Sequence, residues 1–301
     1  MIHDPSVDAA TFRAVSWRLR TRTLDTADHT LIMGVVNVTP DSFSDGGAFS
    51  TPSGAIDHDA AVRHGVRLWE AGADLIDVGG ESTRPGSRGV DTTTELGRVL
   101  PVVEELAAAG IVVSVDTSKA AVAEGVIDAG AEVINDVTAL GDEGMGDVCA
   151  AGGVGVVLMH MQGRPETMQD DPRYDDVVVE VRASLVDAAG RASSSGISDD
   201  RICIDPGIGF GKTLDHNLDL LANLDAFVDT GFPVMVGASR KGTLRKVLER
   251  TGRPARAGDR DPATGATIAL AVDSGVAVVR VHNVEDAVQA ARTSDAIVRA
   301  R

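Results

Sequence analysis

The chain has 301 residues, a formal net charge of −17, and 43% hydrophobic but only 3% aromatic residues. This length is sufficient for a large hydrophobic core, which must be built mainly from Ala, Val, Leu and Ile. The acidic balance argues against nucleic acid and anionic membranes as partners. An anionic substrate would therefore need a local cluster of Arg and Lys side chains.

Cysteine usage and the N-terminal segment indicate where the protein works. Cys149 and Cys203 are the only cysteines, too few for a disulfide framework or a cysteine metal cluster, so a cytoplasmic location is expected. No apolar run reaches the roughly 18 residues of a membrane span. The first 29 residues carry several charges and no apolar segment, so no signal peptide is predicted. We predict that residues 1–29 are an N-terminal extension, a surface arm or irregular lead-in, before a domain at 30–301.

Short apolar runs rich in β-branched residues recur along the chain, with helix-like segments between them. Such non-alternating runs are typical of parallel strands buried on both faces. Their repetition predicts a single-domain α/β fold, a (β/α)8 TIM barrel, with a doubly wound sheet as the alternative. The runs cover residues 31–36, 75–78, 112–115, 132–135, 154–159, 201–204, 233–236 and 277–281.

The helix boundaries carry their own signals. Thr92 and Glu95 have the spacing of a capping box, and Ser118 precedes an apolar helical pattern as a predicted N-cap. Gly72 and Gly130 stand where a helix C-terminus favours glycine.

The segment after the first strand is unusually long. About twenty residues separate Asn37 from the next predicted helix near Asp57, whereas βα loops usually have about two to six residues. The segment is rich in hydroxyls, carboxylates and glycine. A long polar loop of this kind indicates a lid or a binding loop.

Polar groups follow every predicted strand, at the end of a barrel where active sites lie. One set combines two carboxylates, an amide and an ammonium, which would suit the polar edge of a flat heterocycle such as a pterin. Taken singly, the two Asp residues have an alternative role as helix caps, and the Lys as a solvated helix-start residue. The set consists of Asp116, Asn135, Asp205 and Lys241.

A second set suits an anion. Guanidinium groups, an imidazole and an amide favour phosphate or diphosphate oxygens. The set consists of Asn37, Arg84, Arg280 and His282. Asn37 is also a candidate ligand for Mg²⁺, which prefers oxygen donors. His282 alone would be read as a surface histidine, but Arg280 lies late in an apolar strand, where a buried guanidinium needs an anionic partner.

The motifs around these residues resemble those of dihydropteroate synthases, the pterin-binding barrels of folate synthesis. The resemblance covers the chain from about Leu31 to the last helix. Its motifs are MGVVNVTPDSFSDGG at 33–47, DVGGESTRPG at 77–86, SVDTS at 114–118, INDV at 134–137, LMHMQG at 158–163, DPGIGFGK at 205–212, SRK at 239–241 and RVH at 280–282. One departure is Asn283, where the family motif more often has Asp.

The resemblance implies a reaction in which 4-aminobenzoate displaces diphosphate from (7,8-dihydropterin-6-yl)methyl diphosphate, with Mg²⁺ as cofactor and a homodimer as assembly. Asp116, Asn135, Asp205 and Lys241 would bind the pterin, with Met159 and Phe210 packed on its ring. The other roles, also implied by the resemblance, are the diphosphate anchor (Arg280, Val281 and His282), the magnesium site (Asn37) and the second-substrate pocket (Phe43, Thr83, Arg84, Pro85 and Ser239).

The resemblance also divides the first loop. Asn37 would belong to the anion site, whereas residues 39–47 would be disordered without ligand and close with the loop at 83–85. Two alternatives remain on the same fold: a pterin-binding methyltransferase, and a pterin-binding paralogue without catalysis. The first two loops carry the complete family motifs, at 33–47 and 77–86. This counts against the methyltransferase, which has no need of a diphosphate clamp.

Overall fold

The eight barrel strands are short, buried and mostly apolar, and each pairs in parallel with a neighbour in the sheet. The computed structural model describes residues 15–40, 56–84, 86–253 and 255–301. Within these ranges the strands are β1 (Ser16–Arg18), β2 (Thr23–Asp25), β3 (Leu31–Asn37), β4 (Leu75–Gly79), β5 (Val113–Asp116), β6 (Val133–Asp136), β7 (Gly155–Met159), β8 (Ile202–Asp205), β9 (Met235–Val236) and β10 (Val278–Val281).

Helices fill the connections between the barrel strands. They are α1 (His58–Glu70), α2 (Thr92–Ala108), α3 (Ala120–Asp128), α4 (Met145–Gly152), α5 (Val177–Ser194), α6 (Leu214–Ala222), α7 (Asp225–Val228), α8 (Gly242–Arg250), α9 (Asp261–Asp273) and α10 (Val284–Arg299). Their apolar faces cover the outer side of the sheet and form the larger hydrophobic core with it. Among the described residues, no helix is long and apolar enough to cross a membrane.

The sheet closes on itself. Its strand order is β8-β7-β6-β5-β4-β3-β10-β9, all parallel. A parallel bridge between Ile204 and Val234 joins the two ends, and the Ile204 N–H donates to the Pro233 carbonyl at 2.9 Å. The predicted (β/α)8 barrel is therefore confirmed, and the doubly wound sheet is excluded. All eight predicted strands are present within two residues of their predicted ends.

The segment before the barrel differs from the prediction. Strands β1 and β2 form an antiparallel hairpin, and Trp17 and Leu19 are each only 1% exposed. They pack against residues that begin the barrel strands, among them Leu31 and Leu75. The Trp17 indole N–H donates to the Arg201 carbonyl at 2.9 Å. The prediction of a surface arm or irregular lead-in is thus wrong for residues 15–25, because this hairpin seals the N-terminal end of the barrel.

Two of the predicted caps also differ. Helix α2 is capped by Asp91, whose Oδ1 accepts from the Thr94 N–H at 2.8 Å, one residue before the predicted Thr92. Helix α3 has Lys119 at its N-cap with no side-chain cap, so the prediction for Ser118 is wrong. The glycine predictions are confirmed, since Gly72 and Gly130 follow α1 and α3 with φ of 104° and 111°.

Candidate active site

The strand register aligns polar groups at the C-terminal end of the barrel. Asn37 lies opposite Gly79, Gly79 opposite Asp116, and Asp116 opposite Asn135, on four consecutive strands. A Cβ at Gly79 would lie 3.8 Å from Asn37 Oδ1 and 3.9 Å from Asp116 Oδ2. The missing side chain of Gly79 therefore leaves open space beside both oxygens.

A cavity of about 680 Å³ opens above this level. Its described lining includes nine of the predicted site residues: Asn37, Thr83, Arg84, Asp116, Phe210, Ser239, Lys241, Arg280 and His282. Three more lie buried beneath it at the strand ends, namely Asn135, Met159 and Asp205. The Val281 side chain belongs to the hydrophobic core instead. Phe43 and Pro85 lie outside the described residues.

The cavity wall is strongly cationic. Within the described lining, eight Arg and Lys residues face only two carboxylates, Glu81 and Asp116. The eight are Arg84, Lys212, Arg240, Lys241, Arg245, Lys246, Arg260 and Arg280. Since the whole chain carries a net charge of −17, this wall is the local cluster of cations that an anionic substrate would require.

Asp77 is a site residue that the sequence analysis missed. It is fully buried in β4, where its Oδ2 accepts from Arg280 Nε at 2.7 Å and from Asn135 Nδ2 at 3.1 Å. Its Oδ1 accepts from the Ser114 hydroxyl at 2.6 Å. Arg280 Nη2 also donates to Asp116 Oδ2 at 3.0 Å. The signal was present, because an Asp inside the apolar run Leu75-Ile76-Asp77-Val78 is unusual unless it is paired.

The two carboxyl groups of the predicted pterin set, Asp116 and Asp205, have raised pKa values. Burial raises the pKa of Asp116 to about 7, reinforced by the neighbouring Asp77 and opposed by Arg280. Burial likewise raises the pKa of Asp205, opposed by Lys241. Neither caps a helix, since Asp205 Oδ1 accepts from the Gly207 N–H at 2.7 Å and Asp116 pairs with Arg280. Raised pKa values of this kind are common where carboxyl groups bind or transform a ligand.

Lys241 extends into the cavity from the loop after β9. Its Nζ donates to the Ile208 carbonyl at 2.5 Å and lies 4.4 Å from the centre of the Phe210 ring. Burial lowers its pKa to about 8. Lys241 is the N-cap residue of α8, but its side chain is engaged in the cavity, so the alternative of a solvated helix-start residue is wrong.

Ser239 and His282 meet at the end of β10. The Ser239 Oγ accepts from the His282 backbone N–H at 3.2 Å and also lies 3.2 Å from His282 Nδ1. Burial and the nearby Arg280 lower the pKa of His282 to about 3. The imidazole is thus neutral at pH 7 and acts there as a hydrogen-bonding group and not as a cation.

Lys212 and His160 form a second hydrogen-bonded pair, and neither residue is among the predicted site residues. Lys212 is 1% exposed, and its Nζ lies 3.0 Å from His160 Nδ1 and 2.9 Å from the Phe210 carbonyl. Burial lowers the pKa of Lys212 to about 7 and that of His160 to about 3. A neutral imidazole accepts from the ammonium, so the pair links the loops that follow β7 and β8.

The donor set for a metal ion is sparse. In the ranges that the structure describes, no group of three or more His, Cys, Asp or Glu residues converges on a point. Asn37 offers an amide oxygen at the cavity wall. Mg²⁺ commonly takes one or two protein ligands together with substrate phosphates and waters, so this residue fits an ion that arrives with a diphosphate.

Comparison with known proteins supports the kind of ligand site that the geometry indicates. The sequence pattern of pterin binding enzymes matches residues 33–282, which together with the site defines a barrel enzyme of the pterin-binding class. The dihydropteroate synthase of Escherichia coli strain K12 is 43% identical over 276 residues, which is 91% of this chain and 93% of that protein. The chain therefore belongs to the dihydropteroate synthase family, and it is an enzyme, a transferase that forms dihydropteroate.

Solved structures of this family have the same fold. The Yersinia pestis dihydropteroate synthase, in complex with a sulfonamide drug, is 40% identical and superposes with a TM-score of 0.88 over 95% of this chain and 100% of its own. The Xanthomonas albilineans enzyme with 4-aminobenzoic acid is 44% identical, with a TM-score of 0.84 over 96% of this chain and 100% of its own.

Proposed function

We propose that 4-aminobenzoate attacks the exocyclic methylene of (7,8-dihydropterin-6-yl)methyl diphosphate in this cavity and displaces diphosphate. The observation that carries the proposal is the cationic wall directly above buried carboxylates. The wall suits the diphosphate, and the carboxylates suit the nitrogen-rich edge of the pterin. Both requirements of one substrate are met within a single cavity of about 680 Å³.

The pterin would lie lowest. The carboxylates of Asp116 and Asp205 would accept from the N–H groups of its polar edge, the Asn135 amide could accept and donate there, and Lys241 would donate to its carbonyl and ring nitrogen. The Phe210 ring and the buried Met159 would provide its apolar contacts. Lys241 already lies over Phe210, 4.4 Å from the ring centre, so a flat ligand would meet both groups together.

The diphosphate would lie above the pterin. Arg84, Arg280 and His282 line the cavity, and Arg280 is already oriented by two carboxylates, Asp77 and Asp116. We propose that Asn37 holds the Mg²⁺ that accompanies the diphosphate. The ion would withdraw charge from the leaving group as the carbon–oxygen bond breaks. The guanidinium groups would stabilise the same growing charge.

The second substrate would bind at the cavity mouth. Thr83 and Ser239 line the cavity, and we propose that they contact 4-aminobenzoate together with Phe43 and Pro85. Val281, with its side chain in the core, would contribute through its backbone between Arg280 and His282. The closure of residues 39–47 over the site stays a prediction, since residues 41–47 lie outside the described ranges.

The chemistry requires no covalent intermediate on the enzyme. The pterin can delocalise positive charge at its methylene, and ionised Asp116 and Asp205 would stabilise that charge electrostatically. The neutral arylamine needs correct positioning more than a strong base. Cys149 and Cys203 are buried, and burial raises the pKa of Cys149 to about 12 and that of Cys203 well above its usual value. Neither thiol is suited to act as a nucleophile.

The deciding experiment measures diphosphate release from the pterin diphosphate, with and without 4-aminobenzoate. The proposal predicts release that depends on the arylamine and on Mg²⁺. No release by folded protein would contradict it, and binding without release would favour the non-catalytic paralogue. Methyl transfer from a folate to a corrinoid is the control for the methyltransferase.

Two further expectations belong to the proposal. We propose a homodimer, supported by Leu270 on α9 and Ile297 on α10, which are 60% and 57% exposed on two packed helices. Light scattering coupled to gel filtration tests it. We also propose a cytoplasmic location, supported by two free, buried cysteine thiols.

A further inference from the structure

Asp261, the first residue of α9, receives hydrogen bonds from two different loops. Arg240 Nε donates to its Oδ1 and Arg240 Nη2 to its Oδ2, both at 2.8 Å, in a parallel two-bond pair. Asn283 Nδ2 donates to the same Oδ2 at 3.1 Å. The side chains of Arg240 and Asp261 are only 15% and 11% exposed. We call these three residues the Asp261 clamp.

Arg240 has a backbone conformation that needs support. Its φ is 57°, in the left-handed region that non-glycine residues rarely adopt. Besides the pair with Asp261, its carbonyl accepts from Arg260 Nη1 at 2.7 Å. Such a conformation persists only where surrounding contacts determine it, and these contacts fix both the side chain and the backbone of Arg240.

The position of Arg240 in the chain gives this conformation a consequence. Its neighbours are Ser239, which bonds to His282, and Lys241, which reaches the Ile208 carbonyl. Both neighbours line the cavity. The left-handed turn at Arg240 thus determines how these two side chains are presented to a ligand.

Asn283 connects the clamp to the other loop. It directly follows His282, and its Oδ1 caps α10 by accepting from the Asp286 N–H at 3.2 Å. The carboxylate of Asp261 therefore joins the loop after β9 to the loop after β10. Burial acts to raise the pKa of Asp261, but hydrogen bonds from Arg240 and Asn283 hold it below the usual value, so the clamp stays ionised at neutral pH.

We propose that Asp261 is a positioning residue, which holds Arg240 in its left-handed conformation and thereby sets Ser239 and Lys241 against His282. The proposal rests on the substrate-binding roles proposed above for Ser239 and Lys241. Asp261 itself contacts neither substrate, because it lies outside the described lining of the cavity.

The test compares Asp261→Asn with a matched control, Asp259→Asn. Asp259 lies two residues away and pairs with Arg256 in an exposed ion pair at 3.1 Å. Because misplaced groups of this kind cost up to about 100-fold in rate, we expect Asp261→Asn to lower kcat and raise the KM for 4-aminobenzoate, with kcat/KM reduced about 10- to 100-fold. The control should keep wild-type kinetics.

A second measurement does not depend on turnover. Affinity for 6-hydroxymethylpterin, measured by calorimetry, should fall about tenfold in Asp261→Asn because Lys241 is displaced. Arg240→Lys keeps the charge but loses the planar two-bond pair, so it should have the same effects. The double variant should be no worse than the worse single one, because both remove one interaction.

The experiments distinguish failure of the proposed function from failure of the positioning role of Asp261. An inactive wild-type protein would contradict the proposed function, whereas the calorimetric comparison would still test the clamp. If wild type turns over and folded Asp261→Asn and Arg240→Lys keep its kcat, KM and pterin affinity, the positioning role is wrong. A lower melting temperature with unchanged KM and affinity would also overturn it, since that is the result of a purely structural contact.

Discussion

Arg280 on β10 and Asp77 on β4 form a buried ion pair across the intervening strand β3, with Nε and Oδ2 at 2.7 Å. Asp77 is completely buried, and its remaining bonds come from Asn135 and Ser114. The guanidinium is therefore fixed before any ligand arrives. An anion held by Arg280 meets a preorganised group, whose partner also orients the amide proposed to bind the pterin.

The first prediction concerns this pair. Asp77→Asn removes the fully buried one of the two carboxylates that pair with Arg280, and removing one partner of a buried pair typically costs about 3–5 kcal/mol of unfolding free energy. Urea denaturation measures the loss. Ser114→Ala removes one neutral donor from the same carboxylate and should cost only about 1 kcal/mol. Equal losses in the two variants would contradict the importance of the charge.

The second prediction separates the pterin site from the anion site. Asp205→Asn should weaken pterin binding severely, because a buried carboxylate next to Lys241 is lost. Arg84→Ala should keep pterin affinity but reduce turnover, since this exposed residue lines the cavity mouth. Calorimetry with 6-hydroxymethylpterin and the diphosphate-release assay give the two readouts. Unchanged pterin affinity in Asp205→Asn would remove that residue from the pocket.

The third prediction is a narrow pH optimum for pterin binding. Asp116 has a pKa of about 7, so its carboxylate forms and affinity rises as the pH passes this value. Lys241 has a pKa of about 8, so its ammonium is lost and affinity falls above it. Calorimetry across this range should show a maximum between the two values.

Two variants test the assignment of the pH dependence. Asp116→Asn should abolish the rise on the acidic side while keeping the fall on the basic side. Asp200→Asn, which removes an exposed carboxylate paired with Arg18 near the hairpin, should keep both limbs. A flat profile in the wild-type protein would exclude both titrations as determinants of affinity.

The fourth prediction concerns stability and pH. Burial lowers the pKa of Lys212 to about 7 in the folded protein, against an ordinary value of 10.5. Between these values the unfolded chain binds more protons at this position, so Lys212 makes the unfolding free energy rise with pH. Lys212→Met should flatten that rise between pH 7 and 10, measured by urea denaturation. Lys246→Met, which removes an exposed ammonium, should leave the rise of unfolding free energy with pH unchanged.

The barrel was predictable because its strands are short, mostly apolar runs that recur along the chain with helical segments between them. The same reasoning placed the polar strand ends at one edge, and nine of the predicted side chains line one cavity. The hairpin was missed because Trp17 and Leu19 alternate with arginines in a segment that reads as charged. That alternation is the period of a strand with one buried face, so the signal existed.

Other features have no sequence signal of their own. The left-handed backbone of Arg240 depends on Asp261, and the two are 21 residues apart in the chain but adjacent in the fold. The raised pKa of Asp116 depends on burial and on charges contributed by other strands. Pairing of Arg280 with carboxylates, and not only with a ligand anion, likewise requires knowledge of how the strands are ordered around the barrel, because its partners lie on β4 and β5 and not on the strands next to β10.

The hairpin has a consequence for how the chain folds. Trp17 bonds to the carbonyl of a residue 184 positions later, and it belongs to an apolar cluster with residues from strands around the whole barrel. Contacts of such large sequence separation form late and slow the folding of a domain. We therefore expect the Trp17 indole to remain in water until the last strands have closed the barrel, so that its fluorescence, recorded in a Trp69→Phe variant, reports the final step of folding. A fluorescence change complete before ring closure would contradict this order.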